Sequence, residues 1–210
     1  MRIMKKELSY FKIGKCFGGN QDWFRDPMMK LGGCAAATAC DLSIYLAMYR
    51  DKKHLCPWDA VSLDKKQYIG FSKIMKPYLR PRREGVNRLE LYIDGFGQYL
   101  KDRQEEDIDL KEFGGTASIE DAKTAIKGQL DGGMPIPYLL LKHKDPKLKD
   151  FVWHWFLLVG YEEFADSFMV KTATYGEYQW MDFENLWNTG YTEKGGFILV
   201  NVINNSEILI

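Results

Sequence analysis

Cys34 is the residue of this chain best suited to nucleophilic chemistry. It follows Gly32-Gly33 and opens a helical run through Ala35-Ala36-Ala37-Thr38-Ala39-Cys40-Asp41 into Leu42-Ser43-Ile44-Tyr45-Leu46-Ala47-Met48. A thiol at a helix start sees unpaired backbone N–H groups and the positive end of the helix dipole, which favour its reactive thiolate. The glycines ahead of it let another backbone approach closely, and the alanines behind it let the helix sink into a core. Such a thiol is expected to outreact Cys16, Cys40 and Cys56 towards alkylating reagents.

A cysteine nucleophile needs a base within hydrogen-bond reach. The chain has 3 histidines. His54 lies beside Lys53, and His143 lies in the charged loop Lys142-His143-Lys144-Asp145-Pro146. His154 alone falls in a strand-like run, between Trp153 and Trp155 and ahead of Phe156-Leu157-Leu158-Val159-Gly160-Tyr161. A strand is rigid enough to hold an imidazole against a thiol on a facing helix, so His154 is the expected partner of Cys34. Taken singly, each has a plainer reading, a small buried hydrophobe for the cysteine and a hydrogen-bonded core residue for the histidine. Their combination points to catalysis.

Acyl chemistry also needs donors for a developing oxyanion. The backbone N–H of Cys34 is one, and the side-chain amide of Gln21, in the turn Gly19-Asn20-Gln21-Asp22-Trp23, is the expected second, with Asn20 as fallback. Cys40 falls on another face of the helix and is expected in the core, whereas Asp41 is expected to face solvent. Metal binding would need paired ligands at short spacing. Only His54-Leu55-Cys56 comes close, so neither a metal nor a cofactor is expected.

The positioning elements follow from the sequence pattern. Residues 1–33 read as irregular. Helices are expected from Cys34 to about Met48, over Lys65 to Met75 before Pro77, from Asn87 to Gln98, and from an N-cap at Ser118 to the stop at Asp131-Gly132-Gly133. From Met134 the texture turns strand-like, with five candidate strands around residues 136–141, 153–161, 167–172, 176–181 and 196–203. Asp182 caps a short helix through Trp187. The fold class is therefore α+β. A helical half carrying the cysteine packs on an antiparallel sheet carrying the histidine, with the cleft between them and the four tryptophans of the sheet half packing that sheet.

The chain has 210 residues, 46% hydrophobic and 14% aromatic, enough for one sizeable core. We read a single domain over 1–210, divided into a Cys-helix region (1–49), a helical insert (50–130) and a sheet lobe (131–210). Twenty-nine basic and 29 acidic residues leave no net charge, so neither nucleic acid nor a membrane surface is an expected partner. No apolar run of signal-peptide or membrane-spanning length occurs, and 4 cysteines are too sparse for a secreted disulfide scaffold. A cytoplasmic location is expected.

Taken together, Gln21, the Gly33-Cys34-Ala35-Ala36 helix start, His154-Trp155-Phe156-Leu157-Leu158-Val159-Gly160-Tyr161, Thr174-Tyr175-Gly176-Glu177 and Leu186-Trp187 resemble papain-like cysteine peptidases. The nearest branch is similar to the double-glycine leader peptidases of bacteriocin export. The resemblance covers residues 16–48 and 134–203. It implies a two-lobed papain-like fold with Cys34 as nucleophile, His154 as base, Gln21 as oxyanion donor and a peptide or other amide or thioester as substrate. Two positions depart from that pattern. Where the branch has an aspartate or asparagine to orient the histidine, counting back from Tyr175-Gly176 reaches Thr172, which accepts a hydrogen bond but cannot stabilise an imidazolium as a carboxylate does. Gln21 also lies unusually far ahead of Cys34, so Trp23 to Met29 must loop out. An acyltransferase or amidase on the same scaffold, and a binding protein that keeps the fold without catalysis, remain alternatives.

Overall fold

The computed structural model describes residues 2–82 and 84–203. In chain order the elements are β1 (Arg2–Glu7), β2 (Lys12–Ile13), β3 (Cys16–Phe17), α1 (Pro27–Gly32), α2 (Cys34–Tyr49), α3 (Lys65–Met75), α4 (Leu89–Asp102) and β4 (Ile108–Gly114). They continue with α5 (Ile119–Asp131), β5 (Ile136–Leu140), β6 (His154–Phe164), β7 (Phe168–Thr174), β8 (Glu177–Asp182), α6 (Phe183–Trp187) and β9 (Gly195–Val202). The architecture is α+β.

Local chemistry accounts for most boundaries. Asp26 caps α1 ahead of Pro27, Asp64 and Gln67 form a reciprocal capping box on α3, and Ser118 and Asp182 cap α5 and α6. Gly133, at φ 75°, ends the turn after α5 in a conformation that penalises a side chain. Helix α2 is different, because apolar residues occupy nearly its whole circumference and its residues from Cys34 to Ala47 are almost all buried. Such a helix belongs inside a protein.

One antiparallel sheet runs in the order β4-β9-β5-β6-β7-β8, with β1 paired to the far half of β6. Helix α2 crosses β6, and α3 and α4 lie on the same face. There Trp155, Leu157, Val159, Ala173 and Ile198 meet Ala36, Ala39, Phe71 and Tyr92 in one buried cluster. The other face, with Phe156, Leu158, Val170 and Phe197, is covered by α5 and α6 through Ile126, Leu130, Phe183 and Trp187. The sheet is thus a central layer between two sets of helices.

Three expectations need correction. Residues 1–33 are not irregular, since they hold β1, a small β2–β3 ladder and α1. Strand β1 is polar, and it is stabilised by pairing along β6, where Glu7 lies opposite Gly160. A Cβ on Gly160 would meet the Lys6 carbonyl oxygen at 2.8 Å, so the glycine admits β1 at this spacing. The 50–130 segment is not wholly helical, because β4 forms the sheet edge against β9, its exposed positions carrying charge as edge strands commonly do. Finally, Trp153 is exposed rather than packed on the sheet. Among the described residues, no helix is long and apolar enough to cross a membrane.

Candidate active site

Cys34 begins α2 directly after α1, with Gly33 at the junction. A Cβ on Gly33 would run into the carbonyl oxygen of Met29, so the two helices join this tightly only through glycine. No side chain caps α2, which leaves its first N–H groups without a side-chain acceptor beside the thiol. His154 is the first residue of β6, the strand on which α2 packs. Cys34, His154 and Gln21 line one narrow cleft with room for about one water molecule, about 10 Å³.

The thiol and the imidazole share that cleft without bonding each other. Cys34 Sγ lies 3.9 Å from the carbonyl oxygen of Trp153, the residue before His154. His154 Nε2 lies 2.7 Å from Thr174 Oγ1. The Tyr175 ring stacks on the imidazole, with centroids 4.6 Å apart and planes within 1° of parallel. Its hydroxyl oxygen is 3.4 Å from Nδ1, but that contact joins two stacked planes, whereas an imidazole nitrogen bonds within its own plane. Nδ1 is therefore the ring nitrogen left without an in-plane partner.

Burial governs the electrostatics. It raises the Cys34 thiol above the usual range, while the backbone N–H groups of Trp155, Ala35 and Cys34 pull it partly back. Burial also lowers His154, to about 4. The resting site is a neutral thiol beside a neutral imidazole. The expected helix-start activation of the thiol is present but outweighed.

Thr172 does not orient His154. Its hydroxyl donates to the Gln179 carbonyl oxygen at 3.2 Å, within the β7–β8 ladder. Register is the reason: Leu158 lies opposite Thr172 and Leu157 opposite Ala173, so His154, at the strand's beginning, falls near Thr174 and the turn. That turn, Tyr175-Gly176, has φ of 53° and 74° between the paired residues Thr174 and Glu177, the two-residue type I′ geometry. Tyrosine is strained there, and its placement lays the ring over His154. Thr174 and Tyr175 are the site residues that the sequence reading missed, and the Thr-Tyr-Gly-Glu run was the signal available for them.

Gln21 reaches the cleft from a single 3-10 turn over Gln21–Trp23. The stretch between it and Cys34 is taken up by α1 rather than looping out. Its Nε2 donates to the Lys30 carbonyl oxygen at 2.8 Å, and its Oε1 is buried without a hydrogen-bond partner. Asn20 is turned away, donating from Nδ2 to the Tyr175 carbonyl oxygen at 2.7 Å. His143 and His54 are engaged elsewhere, with the Asn185 carbonyl and with Glu105. Cys40 is in the core, whereas Asp41 is buried rather than solvent-facing.

Among the described residues, no group of three or more His, Cys, Asp or Glu side chains is gathered as a metal site, and the 4 cysteines are free. Comparison with protein-family models and with curated proteins finds no match for this chain, so the functional reading rests on the cleft's own residues.

Proposed function

We propose that the chain is a papain-like cysteine hydrolase acting on a peptide or another amide or thioester, in the cytoplasm, through Cys34 and His154. The observation that carries this reading is the orphaned Gln21 Oε1, a buried acceptor in the same cleft as a helix-start thiol and an imidazole. A buried polar atom without a partner is costly, and a substrate N–H in the cleft would satisfy it.

The chemistry follows from the tautomer that donates Nε2–H to Thr174, leaving the Nδ1 lone pair as base. As Cys34 sulfur bonds the substrate carbonyl carbon, the thiol proton passes to Nδ1. The oxyanion takes hydrogen bonds from the Cys34 N–H and the remaining Gln21 Nε2–H. The carbonyl–nitrogen bond then breaks, and Nδ1–H protonates the departing amine. Water, deprotonated by Nδ1, attacks the thioester; the carbon–sulfur bond breaks and the proton returns to sulfur. An amine in place of that water would make the enzyme an acyltransferase with the same residues.

A second reading is favoured by the resting geometry. The thiol is bonded to Trp153 rather than to the imidazole, and a hydroxyl stands where a carboxylate or amide would steady an imidazolium. Both suit a binding protein that keeps the fold. The test is labelling by a carbonyl-based activity probe of the parent, Cys34→Ala and His154→Ala proteins. Hydrolase chemistry requires labelling that is lost in both variants. Labelling that survives loss of His154 identifies a merely accessible thiol and supports the binding reading.

A further inference from the structure

Asp41 takes no part in the bond changes above, yet it lines the inner end of the same cleft. It lies seven residues after Cys34, two turns and about 10 Å along the same helix face. The Gly19 N–H donates to its two oxygens at 3.1 and 3.2 Å, the Tyr10 hydroxyl to Oδ2 at 3.0 Å and the Tyr68 hydroxyl to Oδ1 at 2.8 Å. Tyr10 comes from the segment after β1 and Tyr68 from α3. The nearby titratable groups that feel its charge include Cys40 on its own helix and Tyr92 on α4. No cationic side chain bonds it among the described residues. A buried carboxylate without a counter-cation is costly, and what offsets that cost here is hydrogen bonding to Gly19, Tyr10 and Tyr68 from three separate parts of the chain.

The chain closes tightly around this carboxylate. A Cβ on Gly18 would meet Asp41 Oδ2 at 2.6 Å, and a Cβ on Gly19 would overlap the Tyr68 ring. The residues next to this anchor reach both sides of the site. Phe17 N–H donates to the Gly176 carbonyl at 2.7 Å, Asn20 holds the Tyr175 carbonyl, and Gln21 carries its amide into the cleft.

We propose that Asp41 is a positioning residue: its carboxylate anchors the backbone at Gly19 and thereby sets both Gln21 beside Cys34 and the Tyr175 turn over His154. The role given to Gln21 rests on the hydrolase reading, whereas the anchoring does not. Burial holds the Asp41 carboxyl up to about 6. Protonation there converts one acceptor oxygen into a donor and removes the charge from the bonds to Gly19 and the tyrosines. Because the closed site binds this proton more readily than a solvent-exposed carboxylate would, an opening that exposes Asp41 becomes harder as pH falls through about 6.

Amide hydrogen exchange tests the anchor, and probe chemistry tests its effect on the site. In the parent, protection factors over residues 17–21 and 175–176 rise as pH drops through about 6, because an opening that exposes Asp41 must release its extra proton, while those in the middle of α2 hold. Asp41→Asn lacks that protection at neutral pH and shows no such transition. Unchanged protection in Asp41→Asn overturns the proposal. If that variant fails to fold, a parent whose 17–21 protection is level across the same range overturns it instead.

With a fluorescent β-lactone, whose acylation of Cys34 passes through an oxyanion, Asp41→Asn is slowed about tenfold or more. Alkylation by iodoacetamide, which forms no oxyanion, is not slowed, and it speeds up to the extent that the Tyr175 turn shifts off the site. In a Gln21→Ala background Asp41→Asn adds no further loss, as expected of residues acting in series. Multiplying losses overturn the link to Gln21. A parent that is not acylated at all sinks the hydrolase reading, with the exchange result still deciding the anchor.

Discussion

Thr174 and His154 are joined across the β7–β6 pair, with the Thr174 hydroxyl oxygen 2.7 Å from the imidazole Nε2. In the proposed chemistry Nε2–H donates to this hydroxyl, which leaves Nδ1 to act as the base. Thr174→Val is expected to slow acylation of Cys34 by about tenfold or more, because the imidazole loses its orienting partner. Thr172→Val removes only a ladder-side bond to Gln179 and is expected to cost about 1 kcal/mol of stability with little change in acylation rate. Second-order labelling rates on the two variants separate the roles, and a larger loss in Thr172→Val would refute the assignment.

His154 and Asp41 are expected to tilt the stability curve in opposite directions over one pH window. Burial lowers His154 from 6.5 to about 4, so the unfolded chain binds the extra proton and stability falls as pH drops through that range. Asp41 is raised from 3.8 to about 6, so the folded chain binds the extra proton and stability falls as pH rises through it. Each effect is worth up to about 3 kcal/mol. Urea unfolding at several pH values should show that, relative to the parent, His154→Gln loses stability as pH rises from 4 to 6 and Asp41→Asn gains it. Parallel curves for the two variants would contradict both assignments.

Tyr175 covers the imidazole at a conformational cost. Tyr175→Asn keeps a residue tolerant of positive φ while removing the ring, so stability should change by no more than about 1 kcal/mol. Iodoacetamide should label Cys34 about tenfold faster in this variant, since the thiol is 7% exposed in the closed site. In the parent, half-buried Cys16 should label ahead of Cys34, the reverse of what a helix-start thiol alone suggests. Mass spectrometry of labelled peptides reads both rates.

Gly19 and Gly14 separate steric from conformational demands. Gly19→Ala drives a methyl into the Tyr68 ring and is expected to cost about 2–3 kcal/mol. Gly14 has open space around it but sits at φ 62°, so Gly14→Ala should cost about 1 kcal/mol through backbone strain alone. Thermal or urea denaturation ranks the two, and an equal cost would argue against the Tyr68 clash.

What the sequence disclosed depends on how local the determinant was. Helices with side-chain caps, such as α3 and α5, and the buried strands β5 and β6 were legible because short-range chemistry and apolar runs define them. Strands β1 and β4 were not, because both are polar segments whose place is set by a distant partner. That Cys34, Gln21 and His154 would share one cleft was legible from residue type and position. Thr174 was missed because the partner of His154 is set by the β6–β7 register, which pairs Leu157 with Ala173 and Leu158 with Thr172, and counting along one strand does not reveal that pairing. The burial of Asp41 was equally hidden, since Tyr10 and Tyr68 enclose it from elements far apart in the chain.

The pairing of β1 with residues 160–164, and of Phe17 with Gly176, also governs when the site can exist. Both contacts span most of the chain, so during synthesis the amino-terminal segment must wait, unpaired, until the last quarter emerges. The nascent polypeptide therefore carries Cys34 and Gln21 before His154 and Tyr175 are in place opposite them. Assembly of the cleft is a late folding event, and a ribosome-bound chain is chemically immature until its carboxy-terminal strands arrive.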